Sequence, residues 1–260
     1  MLIAFAHRSR SLRDRLLRAG ANPDLSPIEA WSRLRAAEGM RTTVIDLYRL
    51  VSEPRGLEPH ELPVDERFAL ARSAMPIVWP GFQTTTGTER IDPVAVVAYD
   101  PGWPARFEGW RDRIVRALGP TALRVEHVGS TSVPGLAAKP TIDIQVSVQD
   151  IETEELYVPQ LEGLGLQLRS RDRLHRYFRP PKSAPRDVHV HVCDSGSDWE
   201  RDHLLFRDYL REHADARDRY SRVKLDAARL WADDRWGYTD AKSEVVLDIL
   251  EAAEASRATS

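Results

Sequence analysis

A chain of 260 residues, 42% hydrophobic and 30% charged, is large enough to bury one extensive core or two smaller ones. Its formal net charge of -3 excludes a general electrostatic pull toward nucleic acid, so any anion binding has to be local. One cysteine excludes an internal disulfide framework and no apolar run reaches membrane-spanning length, so a cytoplasmic protein with no nucleic-acid and no membrane partner is expected.

Residues 1–90 are expected to form a mainly helical N-terminal segment. Residues 11–19 place Leu12, Leu16 and Leu17 on one helical face. Ser26-Pro27-Ile28-Glu29 is a capping box with proline at the first helical position, and it opens a helix that ends at Gly39. Residues 42–51 and the stretch opening at Pro63 carry further apolar stripes, through Val44, Leu47 and Tyr48 in the first and Phe68, Leu70 and Ala71 in the second. The Pro-, Gly- and Thr-rich residues 76–90 read as a linker. No Gly-rich Lys-Ser/Thr phosphate loop occurs and His60 stands alone, so no chemistry is expected before residue 91. The helices are left as a surface for a protein partner.

Residues 91–255 alternate strand and helix signals. The continuous apolar run at 94–99 (VAVVAY) predicts a strand. Asp100-Pro101-Gly102-Trp103-Pro104 then turns into a helix with Phe107, Trp110, Ile114 and Leu118 at helical spacing, closed by Gly119. A strand follows from Leu123 and delivers Gly129-Ser130 to its end. In the next strand Ile142, Ile144, Val146 and Val148 alternate with Thr141, Asp143, Gln145 and Ser147, the period of a half-buried strand. Residues 153–164 read as one helix, 165–169 as extended, and 173–178 as a mixture of aromatic and basic residues before Pro180-Pro181. Residues 187–192 (DVHVHV) alternate again, with Val188, Val190 and Val192 on one face and His189 and His191 on the other. Three helices close the chain: one capped by Ser197 with Glu200, one over 220–231 and one over 241–253.

These elements predict a small mixed sheet with helices on its apolar face. If the strands bearing Asp143 and His189 are neighbours, Asp143, Gln145, His189 and His191 line one cleft. Asp143 with His189 or His191 then makes a metal-ligand set, since carboxylate oxygen and imidazole nitrogen suit Mn, Zn or Fe, while Mg²⁺ prefers oxygen-rich sites. The backbone N–H groups of a Gly129-Ser130 turn can hold a phosphate. Basic residues are nearly all arginine, and among the few exceptions Lys139, Lys224 and Lys242 join Arg176 as candidate phosphate partners. Residues 171–176 read equally as a phosphate-contacting patch or as the solvated edge of a sheet, and Cys193 reads as a small buried hydrophobe.

At larger scale the residues resemble a known family. His127-Val128-Gly129-Ser130-Thr131-Ser132-Val133-Pro134-Gly135-Leu136-Ala137-Ala138-Lys139-Pro140, followed by Ile142-Asp143-Ile144, is similar to the signature of the GrpB family. Tyr99-Asp100-Pro101, His175-Arg176-Tyr177-Phe178, His189-Val190-His191-Val192, Phe206-Arg207-Asp208-Tyr209-Leu210 and Tyr238-Thr239-Asp240-Ala241-Lys242 extend the resemblance over roughly residues 92–252. It implies an α+β (mixed α/β) fold like that of the nucleotidyltransferase superfamily, with a small mixed sheet and flanking helices. In that fold Gly129 and Ser130 would face nucleotide phosphates and Asp143 would be the first metal carboxylate. The second acidic position holds Gln145 and the third falls near His189 or His191. The resemblance therefore makes Asp143 and Gln145 the catalytic positions and Asp143, His189 and His191 the metal ligands, with Mg²⁺ or Mn²⁺ expected ahead of Zn²⁺. Some members resemble fusions to a coenzyme A kinase, which residues 1–90 do not resemble. The expected function is binding of a nucleotide or phosphorylated metabolite, with nucleotidyl transfer as its reaction. A catalytically inactive ligand-sensing or protein-interaction module is the alternative.

Overall fold

A computed structural model describes residues 12, 14–20, 25–78, 83–84 and 93–258. Residues 14–18 are helical, and Leu12 beside them is buried while Leu17 is exposed; Ser11 lies outside the described residues. Helix α1 (Pro27–Glu38) starts on the expected capping box, in which the Ser26 backbone N–H donates to the Glu29 carboxylate at 3.0 Å. Helix α2 (Val44–Ser52) has its own capping box between Thr43 and Asp46. Helix α3 (Val64–Val78) runs through Pro76, two residues past the expected start of the linker. Most of the expected linker lies outside the described residues, but Gln83–Thr84 form a short strand, β1.

The apolar run at 94–99 is not a strand of the sheet. It makes one isolated bridge, Val97 to Ala138, and the Val94 N–H donates to the Ala232 carbonyl at 2.7 Å. Val94 and Val96 pack in the core of the N-terminal helices, Tyr99 packs on the aliphatic core of the sheet and Val97 between them is exposed, so the run divides between two cores. Next come α4 (Trp103–Leu118), β2 (Arg124–Val128) and β3 (Ile142–Val148). The helix expected over 153–164 is broken in two: a short 3₁₀ turn at Glu154–Leu156, then α5 (Val158–Gly163) with Pro159 in its first turn. β4 (Gln167–Arg171), β5 (His175–Arg179) and β6 (Val188–Asp194) follow, then α6 (Asp198–Glu212), α7 (Ala214–Leu230), α8 (Arg235–Asp240) and α9 (Ser243–Ala258).

The six strands form one sheet in the order β1-β4-β5-β6-β3-β2. β3 and β6 run parallel, and every other pairing is antiparallel. The result is an α+β fold with a mixed sheet and flanking helices. Ile142, Ile144, Val146 and Val148 of β3 and Val188, Val190 and Val192 of β6 face α4 and α5, packing on Trp103, Phe107, Ile114, Leu118 and Leu161. The other face is covered as well, which the alternation did not indicate. Gln145 and Ser147 are fully buried, and Ser147 Oγ donates to the Glu200 carboxylate of α6 at 2.5 Å. Helices therefore flank both faces, and α6, α7 and α9 close a second core around Val133, Leu136, Leu210, Tyr220, Val245 and Ile249. No helix among the described residues is long and apolar enough to cross a membrane.

A third core joins the N-terminal helices to the C-terminal ones. Trp31, Leu47, Tyr48, Ala71 and Ala74 pack with Ala227, Trp231 and Tyr238. Buried Arg67 of α3 ties this core to the α7–α8 turn, donating to Asp234 at 3.2 Å, to Asp233 at 3.1 Å and to the Leu62 carbonyl at 3.0 Å. Two of its partners are carboxylates, so its burial leaves no uncompensated charge. Leu47→Ala should therefore cost about 2–5 kcal/mol and lower one melting transition, followed alike by circular dichroism and tryptophan fluorescence. A separate early transition confined to the N-terminal helices would contradict the shared core.

Candidate functional site

The parallel pairing of β3 with β6 sets Asp143 opposite His189 and Gln145 opposite His191. Because residues in register share a face, the four side chains project to the same side, away from the aliphatic core. His189 Nδ1 lies 3.1 Å from Asp143 Oδ1, and His191 Nε2 lies 4.0 Å from the same oxygen. One atom from each of the three residues falls within 4.8 Å of the others. Metal–ligand bonds of about 2.0–2.2 Å imply ligand separations of roughly 3–3.5 Å, so small side-chain rotations suffice to close this set on a cation. Two imidazoles and one carboxylate suit Mn, Fe or Zn better than Mg.

The electrostatics favour the ligating forms. Burial alone pushes the Asp143 carboxyl up, but the His189 hydrogen bond and the charges of His189, His191 and Lys139 outweigh it and hold the group down to about 2. Burial lowers the pKa of His189 against the pull of Asp143, and lowers that of His191 much further. Near neutral pH the site thus presents a carboxylate and neutral imidazoles. Tyr177 of β5 packs on both rings, 5.2 Å from each.

Gly129 is where the sequence needs a glycine. Its φ is +67°, and a Cβ there would sit 2.5 Å from Asp143 Oδ2. The turn thus lies directly on the carboxylate. A single 3₁₀ turn, Ser130–Ser132, follows, and Ser132 Oγ donates back to the Gly129 carbonyl at 2.6 Å. Thr131 Oγ1 donates to the Thr141 carbonyl at 3.2 Å and contacts His127 Nε2 at 3.0 Å, while His127 stacks on Phe107. Burial first, then the charges of Arg211 and Arg207, push His127 down to about 4 despite Asp143, so it holds the turn as a neutral ring.

Three of the four candidate phosphate partners reach the same region. Lys139 and Lys242 lie over the Tyr238 ring at 5.2 and 4.2 Å, and Lys224 lies over Tyr220 at 4.5 Å while donating to the Ala137 carbonyl. The Tyr220 hydroxyl faces the Ser130 side chain. Among the described residues, none of these lysines has a carboxylate within ion-pair distance. Lys224 is fully buried and the other two are half-buried. Burial, joined by the charges of neighbouring lysines, pushes Lys224 and Lys242 down to about 7, and burial also lowers Lys139 despite Asp143.

Arg176, the fourth candidate, does not belong to the site. β5 pairs Arg176 with Val192 rather than with His191, so its side chain points to the opposite face. There it donates to Glu154 at 2.6 Å, Glu152 at 2.7 Å and the Asp172 carbonyl at 2.6 Å. Arg171 is likewise bound to Glu154 at 2.7 Å, so both arginines are tied to acids outside the site. Tyr220 and Tyr238 belong to the site as well, although neither is a candidate from the sequence. Their signal is a repeated Tyr-x-x-x-Lys spacing, Tyr220 to Lys224 and Tyr238 to Lys242, which stacks each ring against its lysine.

Gln145 shares the polar face with two other orphaned atoms, His189 Nε2 and His191 Nδ1. It is fully buried and neither amide atom has a hydrogen-bond partner. A buried unsatisfied polar group costs about 1–3 kcal/mol, so its presence calls for a reason.

A family model described as GrpB protein matches residues 93–252, more than half of the chain. The chain belongs to the GrpB family. A UPF0157 protein of Streptomyces coelicolor is 45% identical over 171 residues, spanning 66% of this chain and 89% of that one. The crystal structure of the conserved protein GrpB from Enterococcus faecalis superposes with a TM-score of 0.57 at 32% identity, covering 63% of this chain and 99% of that one. A dephospho-CoA kinase of Mycolicibacterium paratuberculosis is 32% identical over 161 residues, 52% of this chain but 40% of that protein. The GrpB match contains every candidate site residue, while helices α1 to α3 lie outside it.

The lysines of this GrpB chain make a signed prediction. In the unfolded chain they keep their protons up to about pH 10.4, whereas in the folded chain Lys224 and Lys242 release them near 7. Between those values the unfolded state binds more protons, so stability climbs with pH, by at most about 1.4 kcal/mol per pH unit for each lysine. Below pH 7 the penalty is constant. Above about 8.5 the Cys193 thiol, pushed up to about 12 by burial, acts in the opposite sense. Ligand-free protein should therefore melt at higher temperature at about pH 8.5 than at about pH 7, and Lys224→Met with Lys242→Met should flatten that rise. An unchanged slope in the double variant would contradict the buried, unpaired placement of these lysines.

Proposed function

We propose that this GrpB-family protein binds a nucleotide or phosphorylated metabolite over β3 and β6, together with one divalent cation held by Asp143, His189 and His191. The observation that carries the reading is the convergence of Lys139, Lys224 and Lys242 beside the glycine turn that abuts Asp143, with Asp143 and Asp240 acting on them only from beyond ion-pair distance. Partly desolvated lysines that repel one another raise the energy of the empty site, and an anion removes that cost. A bound anion favours protonation of Lys224 and Lys242, which burial holds near 7 in the empty site, so with Lys139 and a doubly charged cation the positive charge around the anion well exceeds that of Asp143. That surplus matches a di- or triphosphate better than a phosphomonoester. Of the ions expected, Mn²⁺ suits two imidazoles better than Mg²⁺.

The chain's own residues divide the work. The turn at Gly129-Ser130 brings backbone against the phosphate, the lysines supply point charges, and Asp143 and the two histidines hold the cation. A bound cation would neutralise charge on phosphate oxygens, which is what phosphoryl chemistry requires. Nucleotidyl transfer is the reaction implied by the nucleotidyltransferase likeness. Gln145 favours the other reading, ligand sensing without chemistry, because a neutral amide replaces an acid that two-metal transfer would use.

A thermal-shift panel of nucleotides, with and without Mn²⁺, tests the proposal. A ligand at a hundred times its Kd should add about 2.7 kcal/mol, or several degrees in Tm for a chain of this size. Asp143→Asn should remove the metal-dependent part of the shift, and Lys242→Met should remove much of the rest. No shift with any nucleotide or phosphorylated compound would sink the proposal. Release of pyrophosphate from a bound nucleoside triphosphate would favour transfer over sensing.

A further inference from the structure

Across the middle of the sheet runs one row of residues in register: Glu126 on β2, Gln145 on β3, His191 on β6 and Tyr177 on β5. Both ends of the row are satisfied. Glu126 accepts from Arg207 at 2.7 Å, and Tyr177 packs on the His191 ring. The middle is not. Gln145 has no partner for its amide oxygen or nitrogen, and the adjacent His191 has no partner for Nδ1, which is also buried. His191 Nε2 meanwhile faces Asp143. An orphaned acceptor and an orphaned donor thus belong to residues in register on neighbouring strands about 4.8 Å apart, and diagonal to them His189 Nε2 is buried without a partner as well.

An imidazole that ligates a metal through one nitrogen needs a hydrogen-bond partner at the other, to fix its tautomer and ring angle. We propose that Gln145 is that partner, a positioning residue whose amide oxygen accepts the Nδ1–H of His191 and so keeps the Nε2 lone pair turned toward Asp143. The inference rests on the cation site proposed above and assigns Gln145 a role other than that of a replaced metal carboxylate. The two residues share register and face, which puts the Gln145 amide within side-chain reach of the His191 ring. A neutral acceptor suits this place. It orients the ring without adding a negative charge beneath a phosphate, and the next residue in the row, Glu126, already carries a charge that Arg207 neutralises.

The test uses the full chain and three readouts. Nitrogen-15 NMR of the wild type loaded with diamagnetic Zn²⁺ should show His191 bound through Nε2 and protonated at Nδ1; a ring bound through Nδ1, or not bound while Zn²⁺ is held, would overturn the proposal without any variant. Titration with Mn²⁺, followed by calorimetry, should give an affinity that Gln145→Met lowers about 10–100-fold. The near-isosteric Met removes an unsatisfied amide, so metal-free melting should stay level or rise. Gln145→Glu restores an acceptor and should bind Mn²⁺ at least as tightly as the wild type. Wild-type affinity in Gln145→Met would overturn the positioning role alone, whereas a wild type that binds no Mn²⁺ would overturn the cation site beneath it.

Discussion

The parallel pairing of β3 with β6 is the constraint on which the rest of the site depends. These strands lie 46 residues apart in the sequence, from Asp143 to His189, and only their register puts one carboxylate against two imidazoles. A shift by one residue would turn every polar side chain into the aliphatic core, where Trp103, Ile114 and Leu161 leave no room for charge. The same alternation that buries Ile144, Val190 and Val192 therefore fixes the chemistry of the opposite face. Folding energy and site geometry come from one set of contacts.

Around that pair, parts from distant segments are held by ordinary packing. The turn at Gly129 approaches Asp143 so closely that no side chain fits, and its own hydrogen bonds to Ser132, Thr131 and Thr141 keep it there. The lysines of α7 and of the turn before α9 arrive over tyrosine rings, and Tyr238 is shared between the lysine cluster and the core made by the N-terminal helices. Asp240, two residues from Lys242, accepts from the Val44 N–H at the start of α2. Helices that lie outside the GrpB match thus buttress the wall of a site that lies within it.

Much of this was legible in the sequence, and the misses have physical causes. The alternation in 142–148 and 188–192 revealed both strands and put Asp143, Gln145, His189 and His191 on one face, because a period of two is the direct imprint of a sheet. Burial of that face was not legible, since α6 covers it through contacts such as Glu200 to Ser147 that no local pattern announces. The facing of Arg176 is not legible, because β5, His-Arg-Tyr-Phe-Arg, carries polar and aromatic residues on both faces and so does not declare which face is which. The run at 94–99 looked like a strand because apolar content alone does not separate a sheet strand from a segment wedged between two cores. Lys139, Lys224 and Lys242 stood out by rarity in an arginine-rich chain, but their burial over tyrosines could be seen only in three dimensions.

In the proposed function, one cation and one phosphate group meet between the Asp143–His189–His191 cluster and the three lysines. Anomalous diffraction at the manganese edge, from crystals grown with Mn²⁺ and a non-hydrolysable nucleoside triphosphate, addresses it most directly. A single strong peak is expected at about 2 Å from ligand atoms of Asp143, His189 and His191, with phosphate density between that peak and Lys139, Lys224 and Lys242. A map with no peak at these residues, or with the nucleotide bound elsewhere, would contradict it.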